Sequence, residues 1–142
     1  MNQLYATFWV GDMYFGVNAT TVQEVLRSQS LTRVLGSSPD VKGLLNLRGQ
    51  VVVALDLRER LGIAPRETDA ELLNVVAVTP HGAVSFLVDE IGDVLDADDE
   101  ELEAPPETLG EPTRSLVTGV HKLDGQLLLI LDVTRAAEPV AV

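Results

Sequence analysis

The two histidines of this 142-residue sequence, and the three aspartates that close apolar runs, are the first candidates for acid–base chemistry. His81 lies in the turn sequence TPHGA and His121 lies in an apolar run, and neither has a partner at the spacing of a known catalytic motif. Asp56, Asp89 and Asp132 each follow an apolar run, where an aspartate caps the next turn more often than it transfers protons. The sequence therefore predicts no enzyme activity and no cofactor.

The acidic segment 96–115 is the remaining place where a cation could bind. Acidic residues alternate at its start, as calcium ligands do, but Glu101 takes the sixth place, where a calcium loop requires glycine. Pro105 and Pro106 also prevent the helix that would leave such a loop. The absence of cysteine excludes disulfides and thiolate metal sites. We predict a solvated loop with one helical turn and no metal site.

The formal net charge is −12, and almost all of the acidic excess follows residue 71. Such a field repels nucleic-acid phosphates and anionic membrane surfaces, so neither is an expected partner. No stretch is apolar and long enough to span a membrane, and the amino-terminal residues do not resemble a signal peptide. Together with the lack of cysteine, these features predict a cytoplasmic protein with no direct membrane insertion.

The sequence segments that would position any site occur twice in the chain, as an internal repeat. NLRGQVVVALD, residues 46–56, is matched by KLDGQLLLILD, residues 122–132, and a looser echo joins GVNATTVQEVL to FLVDEIGDVL. Two copies are too few for a solenoid, so we predict two equivalent halves. The N-terminal half covers about residues 14–66 and the C-terminal half about 72–135, within a single domain of residues 1–142. A polar linker at 64–71 joins them.

Each half is predicted to be mostly strand, with tight glycine turns between strands. The spacing of ATTVQEVL predicts a short helical turn capped by Asn18, and DLRERLG predicts one or two helical turns ended by Gly62. LTRVL is predicted to be a short strand. The continuous runs VVVAL and LLLIL are typical of strands buried on both faces, as in small closed barrels.

These pieces, in this order, resemble the CheW family, the coupling proteins of bacterial chemotaxis. The resemblance covers about residues 5–135 and rests on FWVGDMYFGV, VQEVL, VKGLLNLRGQVVVALDLRERLG, FLVDEIGDVL and GVHKLDGQLLLILDV. It implies a mainly β fold of two five-stranded SH3-like barrels with a shared core and a few short helices. The sequence departs from the family pattern at Val53, where proline is usual, and at Ser85, where glycine is frequent. The chain also ends soon after DVTRAA, without the longer apolar helix of many members.

The resemblance implies a non-catalytic adaptor. Such a protein holds the cytoplasmic hairpin of a methyl-accepting chemoreceptor and the regulatory domain of a CheA-type histidine kinase, a domain that is itself similar to CheW. It is cytoplasmic and is recruited to membrane-associated receptor arrays. Two alternatives stay open, because relatives serve different pathways. The chain could bind the kinase without receptors, or it could serve a motility system or another kinase pathway.

Carried over position by position, the resemblance places a receptor groove at four apolar residues, although the same residues could be plain core. They are Val22, Val25, Ile91 and Val94.

The hairpin around residues 46–49 carries the other candidate residues. Gly49 is expected to supply the positive φ that a tight turn needs, while Gly43 is expected to allow a close backbone approach. Asn46 opens the same N-L-R-G turn. Arg48 is not needed for the turn, since the second copy has aspartate there. The resemblance implies that Arg48 and Glu24 face each other on the surface, and we predict that they form a pair that presents this surface to partners. The alternative is that the Arg48 side chain is exposed to solvent and has no functional role.

Overall fold

The computed structural model describes residues 2–36, 38–64 and 71–138, and most of the predicted linker 64–71 lies outside these residues. The strands are β1 Asn2–Val10, β2 Met13–Asn18, β3 Val22–Leu26, β4 Val41–Leu47, β5 Gln50–Asp56, β6 Leu73–Thr79, β7 Gly82–Val88, β8 Glu90–Ile91, β9 Leu95–Asp98, β10 Val117–Leu123 and β11 Gln126–Leu131. The helices are α1 Leu57–Leu61, α2 Thr113–Leu116 and α3 Val133–Ala137, with 3₁₀ turns at Ala19–Thr21 and Asp99–Glu101.

The strands form two sheets. The terminal sheet has six strands from both ends of the chain, in the order β10-β11-β2-β1-β8, with β9 also paired to β1. The middle sheet has five strands, in the order β3-β6-β7-β5-β4. The prediction of a mainly β fold with a few short helices is confirmed, although one sheet has six strands where five were expected.

Each sheet combines a hairpin from one sequence half with a hairpin from the other. In the terminal sheet β2 runs parallel to β11, and in the middle sheet β7 runs parallel to β5. The two parallel pairings have equivalent register. Ala54 and Ile130 are matching positions of the two repeat copies, and Ala54 pairs with Ser85 while Ile130 pairs with Gly16. The sequence halves therefore do not coincide with the sheets; each half contributes strands to both.

The main core lies between the two sheets and draws side chains from both, including Phe8, Phe15, Leu55, Phe86 and Leu129. A smaller cluster fills the other face of each sheet. In the terminal sheet it contains Tyr5, Tyr14, Leu128 and Ile130, and in the middle sheet it contains Leu45, Leu47, Val52 and Val76. Strands β5 and β11 thus bury side chains on both faces, which explains their continuous apolar runs.

The prediction of a helical turn over ATTVQEVL was only partly right. Asn18 caps a 3₁₀ turn, with its Oδ1 accepting from the Thr20 N–H at 3.0 Å, but residues 22–26 form strand β3. Pairing of β3 with β6 satisfies its backbone groups, so tertiary hydrogen bonding overrides the helical spacing of the valines. LTRVL was expected to be a strand, but only Thr32 makes a bridge, with Leu44.

Helix α1 confirms the prediction made from DLRERLG. The Asp56 side chain caps its start by accepting from the Arg58 N–H at 3.0 Å. Gly62 ends the helix with φ 70°, a left-handed conformation that glycine adopts without a steric penalty.

Candidate functional site

The turn between β4 and β5 has an uncommon backbone conformation at Arg48. Arg48 has φ 52° and Gly49 has φ 83°, so both residues of this two-residue loop lie in the left-handed region, as in a type I′ turn. Within residues 2–36, 38–64 and 71–138, Arg48 is the one non-glycine residue with positive φ. The Asn46 Oδ1 accepts from the Gly49 N–H at 3.0 Å and supports the turn. The turn therefore holds Arg48 in a backbone conformation that residues other than glycine rarely adopt.

The structure brings Arg48 and Glu24 together as a two-pronged ion pair. The Arg48 Nη1 donates to Glu24 Oε2, and its Nη2 donates to Glu24 Oε1 at 3.0 Å. This hydrogen bonding raises the pKa of the Arg48 guanidinium above its already high value. The Arg48 side chain is 73% exposed and that of Glu24 17%. Because exposed ion pairs add little to stability, the pair matters mainly for the shape and charge of the surface.

The pair joins the two edges of the middle sheet. Glu24 lies on edge strand β3, not on a helical turn as the sequence suggested, and Arg48 follows the other edge strand, β4. A backbone bridge closes the same gap, with the Thr32 N–H donating to Leu44 O at 2.8 Å and the Leu44 N–H donating to Thr32 O at 2.7 Å. The ion pair and the bridge thus each link strand β4 or its turn to the chain segment that begins with β3.

Gly43 lies beside this bridge. A Cβ atom there would be 2.7 Å from Thr32 O, closer than real Cβ contacts, and 3.0 Å from Leu31 Cβ. The equivalent residue of the second copy, Gly119, lies beside the matching bridge between Glu103 and Val120. Gly43 and Gly119 thus each lie where the backbone of a bridged segment approaches closely.

Three of the four predicted groove residues lie on the edge strands β3 and β8 of the two sheets. In the middle sheet Val22 pairs with Ala77 and Val25 with Val75, both on the face of the main core. In the terminal sheet Ile91 pairs with Phe8. Cross-strand partners share a face, so these side chains extend the core face outward.

Exposure increases along both edges away from the core. Val22 is partly buried against the main core, whereas Val25 is 45% exposed. Ile91 is 39% exposed and Val94, in the connection between β8 and β9, is 62% exposed. Val25, Ile91 and Val94 are thus surface residues, and Val22 belongs partly to the core.

Two of the strand-closing aspartates cap helices, as the sequence suggested, and the third does not. Asp132 caps α3 as Asp56 caps α1. Asp89 instead accepts at Oδ2 from the Gly11 N–H at 2.6 Å and from Arg58 Nη2 at 2.9 Å. It thus ties the β1–β2 turn to α1. Sequence reasoning missed this link, because its partners lie far away along the chain.

The histidines lie in separate surroundings. His81 donates its backbone N–H to the Thr79 hydroxyl in the β6–β7 turn, while His121 is buried on β10 with its ring against that of Tyr5, 6.0 Å between centroids. Over residues 2–36, 38–64 and 71–138, no three His, Asp or Glu side chains are grouped to hold a metal ion. In the same ranges no helix has the length and apolar character needed to cross a bilayer.

Comparison with known proteins gives a consistent result. The model of the CheW-like domain family matches residues 4–139. Chemotaxis protein CheW of Bacillus subtilis is 31% identical over 125 residues, which cover 88% of this chain and 80% of the relative. The probable chemotaxis protein CheW of Rhizobium etli is 30% identical over 125 residues, covering 88% and 81%.

A solved structure has the same fold. The scaffolding protein TtCheW of Thermoanaerobacter tengcongensis superimposes with a TM-score of 0.87 at 23% sequence identity, covering 97% of this chain and 89% of that one. At this identity the likeness shows the shared architecture of the two chains.

Proposed function

Because the chain belongs to the CheW-like domain family, we propose that it is a non-catalytic adaptor that couples chemoreceptors to a CheA-type histidine kinase. The relatives from Bacillus and Rhizobium are named chemotaxis proteins, and the structural relative is described as a scaffolding protein. An adaptor needs at least two binding surfaces. Two surfaces of this molecule have the required character.

The observation that carries the proposal is the pair of exposed apolar edges that continue from the core. Val25 lies on edge strand β3 of the middle sheet, Ile91 lies on edge strand β8 of the terminal sheet, and Val94 follows β8; all three are apolar and exposed. Exposed apolar residues grouped in this way favour a protein partner. The apolar stripe of an amphipathic helix fits such a surface, so we assign these residues to a chemoreceptor's helical hairpin.

The β4–β5 hairpin supplies the second surface. Its turn presents Arg48, held by Glu24, and beside it Val51 is 63% exposed. A fixed guanidinium next to an exposed apolar side chain is a common composition of interface centres. We assign this surface to the kinase's regulatory domain, which would pair with it barrel to barrel. The protein would then be cytoplasmic and would reach the membrane-associated array through its partners.

A calorimetric titration tests the proposal with two ligands from the same cell, a receptor's cytoplasmic hairpin fragment and the kinase's regulatory domain. Val94→Asp should abolish receptor binding and leave kinase binding, while Arg48→Ala should do the reverse. Leu127→Asp is the matched control, because Leu127 is 37% exposed but lies on β11, three strands from β8 in the terminal sheet and outside the middle sheet that carries Val25 and the Arg48 turn.

The titration also separates the alternatives. Binding to both ligands supports the coupling role. Binding to the kinase alone supports the single-partner alternative, and binding to neither refutes the adaptor proposal.

A further inference from the structure

Leu4 is an exposed apolar residue on the same face of β1 as the main core. Side chains alternate along a strand, so Leu4, Ala6 and Phe8 share one face. Phe8 is 1% exposed, Ala6 is partly buried against the core, and Leu4 is 54% exposed. This gradient matches the one on β3, from Val22 to Val25. The apolar face of the terminal sheet therefore continues past Ile91, the predicted groove residue on β8.

Acidic side chains accompany Leu4 on this face. Leu4 pairs with Asp96 and Asn2 with Asp98, and cross-strand partners point to the same side of a sheet. Asp96 is exposed, and Asp98 is partly buried. The Asp98 Oδ1 accepts from the Glu100 N–H at 3.0 Å, and this hydrogen bond is the main reason that the pKa of Asp98 lies below its usual value. The Asp98 carboxylate therefore carries charge at neutral pH.

We propose that Leu4, Asp96 and Asp98 extend the receptor groove and make it selective for a helical hairpin with lysine or arginine beyond its apolar stripe. This inference rests on the adaptor function proposed above and specifies the chemistry of its receptor. A basic partner is expected from charge complementarity, because the carboxylates of Asp96 and Asp98 lie at the end of the apolar face.

The spacing fixes where the basic residue of the partner lies. Leu4 is four residues along β1 from Phe8, the cross-strand partner of Ile91, and this separation is about 13 Å in a strand. Two turns of a helix span about 11 Å. A helix whose apolar side chain contacts Ile91 would therefore place a residue two turns away over Leu4. The stem of a lysine or arginine there covers the leucine while its charged end reaches Asp96.

Two synthetic helical hairpins test the inference by calorimetry with the full chain. They share one apolar stripe and differ only two turns from its centre, where one carries lysines and the other glutamates. We expect the lysine hairpin to bind at least about tenfold more tightly in low salt, with the difference shrinking as salt screens the charges. Asp96→Asn should reduce this ratio about threefold or more, whereas Glu107→Gln, on the exposed acidic loop, should leave it unchanged. Leu4→Ala should weaken both hairpins alike.

The outcomes separate the two proposals. Equal binding of the two hairpins overturns the charge selectivity and leaves the adaptor function standing. An equal loss of selectivity in Asp96→Asn and Glu107→Gln overturns the assignment to this groove, since it would reflect net charge alone. If neither hairpin nor the receptor fragment binds, the receptor-coupling role fails and this inference fails with it.

Discussion

Replacing Gly43 by alanine gives a sharp test of the close approach beside the bridge between Thr32 and Leu44. The new Cβ would lie 2.7 Å from Thr32 O, a backbone atom that cannot rotate away, and Gly43 has φ 156°. Relief of this clash requires segment 31–33 to move and breaks the two hydrogen bonds between Thr32 and Leu44. Each such bond contributes about 1 kcal/mol net, and the strained backbone at an alanine adds about 1 kcal/mol.

We therefore expect Gly43→Ala to lower the free energy of unfolding by about 3 kcal/mol, a large share of the 5–15 kcal/mol typical of a domain. Urea unfolding followed by circular dichroism measures this change, as a lower midpoint at constant slope.

Gly119→Ala is the matched control for this prediction. Gly119 takes the same place beside the bridge of the terminal sheet, but its Cβ would be 3.1 Å from Glu103 O, and its φ lies outside the left-handed region. A shift of a few tenths of an ångström would relieve that contact, so we expect a loss of about 1 kcal/mol or less. Equal losses for the two variants would refute the reasoning, because the close approach to Thr32 would then not constrain position 43.

Three further predictions concern single side chains. Burial, and then the hydrogen bond to Asp99, raise the pKa of Tyr5 from 10.0 to about 12, so the folded state favours the neutral phenol. The free energy of unfolding should therefore hold up to pH 10 and fall between pH 10 and 12. Tyr5→Phe should remove that fall when urea unfolding is measured across this pH range. A double-mutant cycle of Arg58→Ala and Asp89→Ala should give a coupling free energy of about 1–3 kcal/mol in the same assay, because both side chains are partly buried. Arg48→Ala should leave the urea midpoint unchanged, because its guanidinium is exposed.

Local features of the chain could be predicted from sequence. The hairpin at Arg48 and Gly49, the cap at Asp56 and the helix end at Gly62 each depend on residues within a few positions of one another. The chemistry of such turns is set by φ, side-chain length and hydrogen bonding to nearby backbone groups. These local sequence signals therefore do not depend on how the distant strands pair.

Long-range pairings could not be predicted in the same way. Strand β3 has valines at helical spacing, and its partner β6 begins with Leu73, far along the chain. The two sequence halves present nearly the same strand pattern, so nothing local decides whether β2 pairs with β11 or with β5. Asp89 bonds to Gly11 and Arg58 for reasons that appear only once the strands are placed. In each case the deciding contacts depend on tertiary structure.

The exchange of hairpins between the halves has a consequence for cooperativity. The chain passes from the terminal to the middle sheet through the 3₁₀ turn Ala19–Thr21, and returns through Asp89 alone, between β7 and β8. Removing either half would take strands from both sheets and open the core they share. We therefore expect the protein to unfold as one unit, without a state in which a single sheet survives. Any ligand that binds only the folded form at one edge then stabilises the opposite edge by the same free energy.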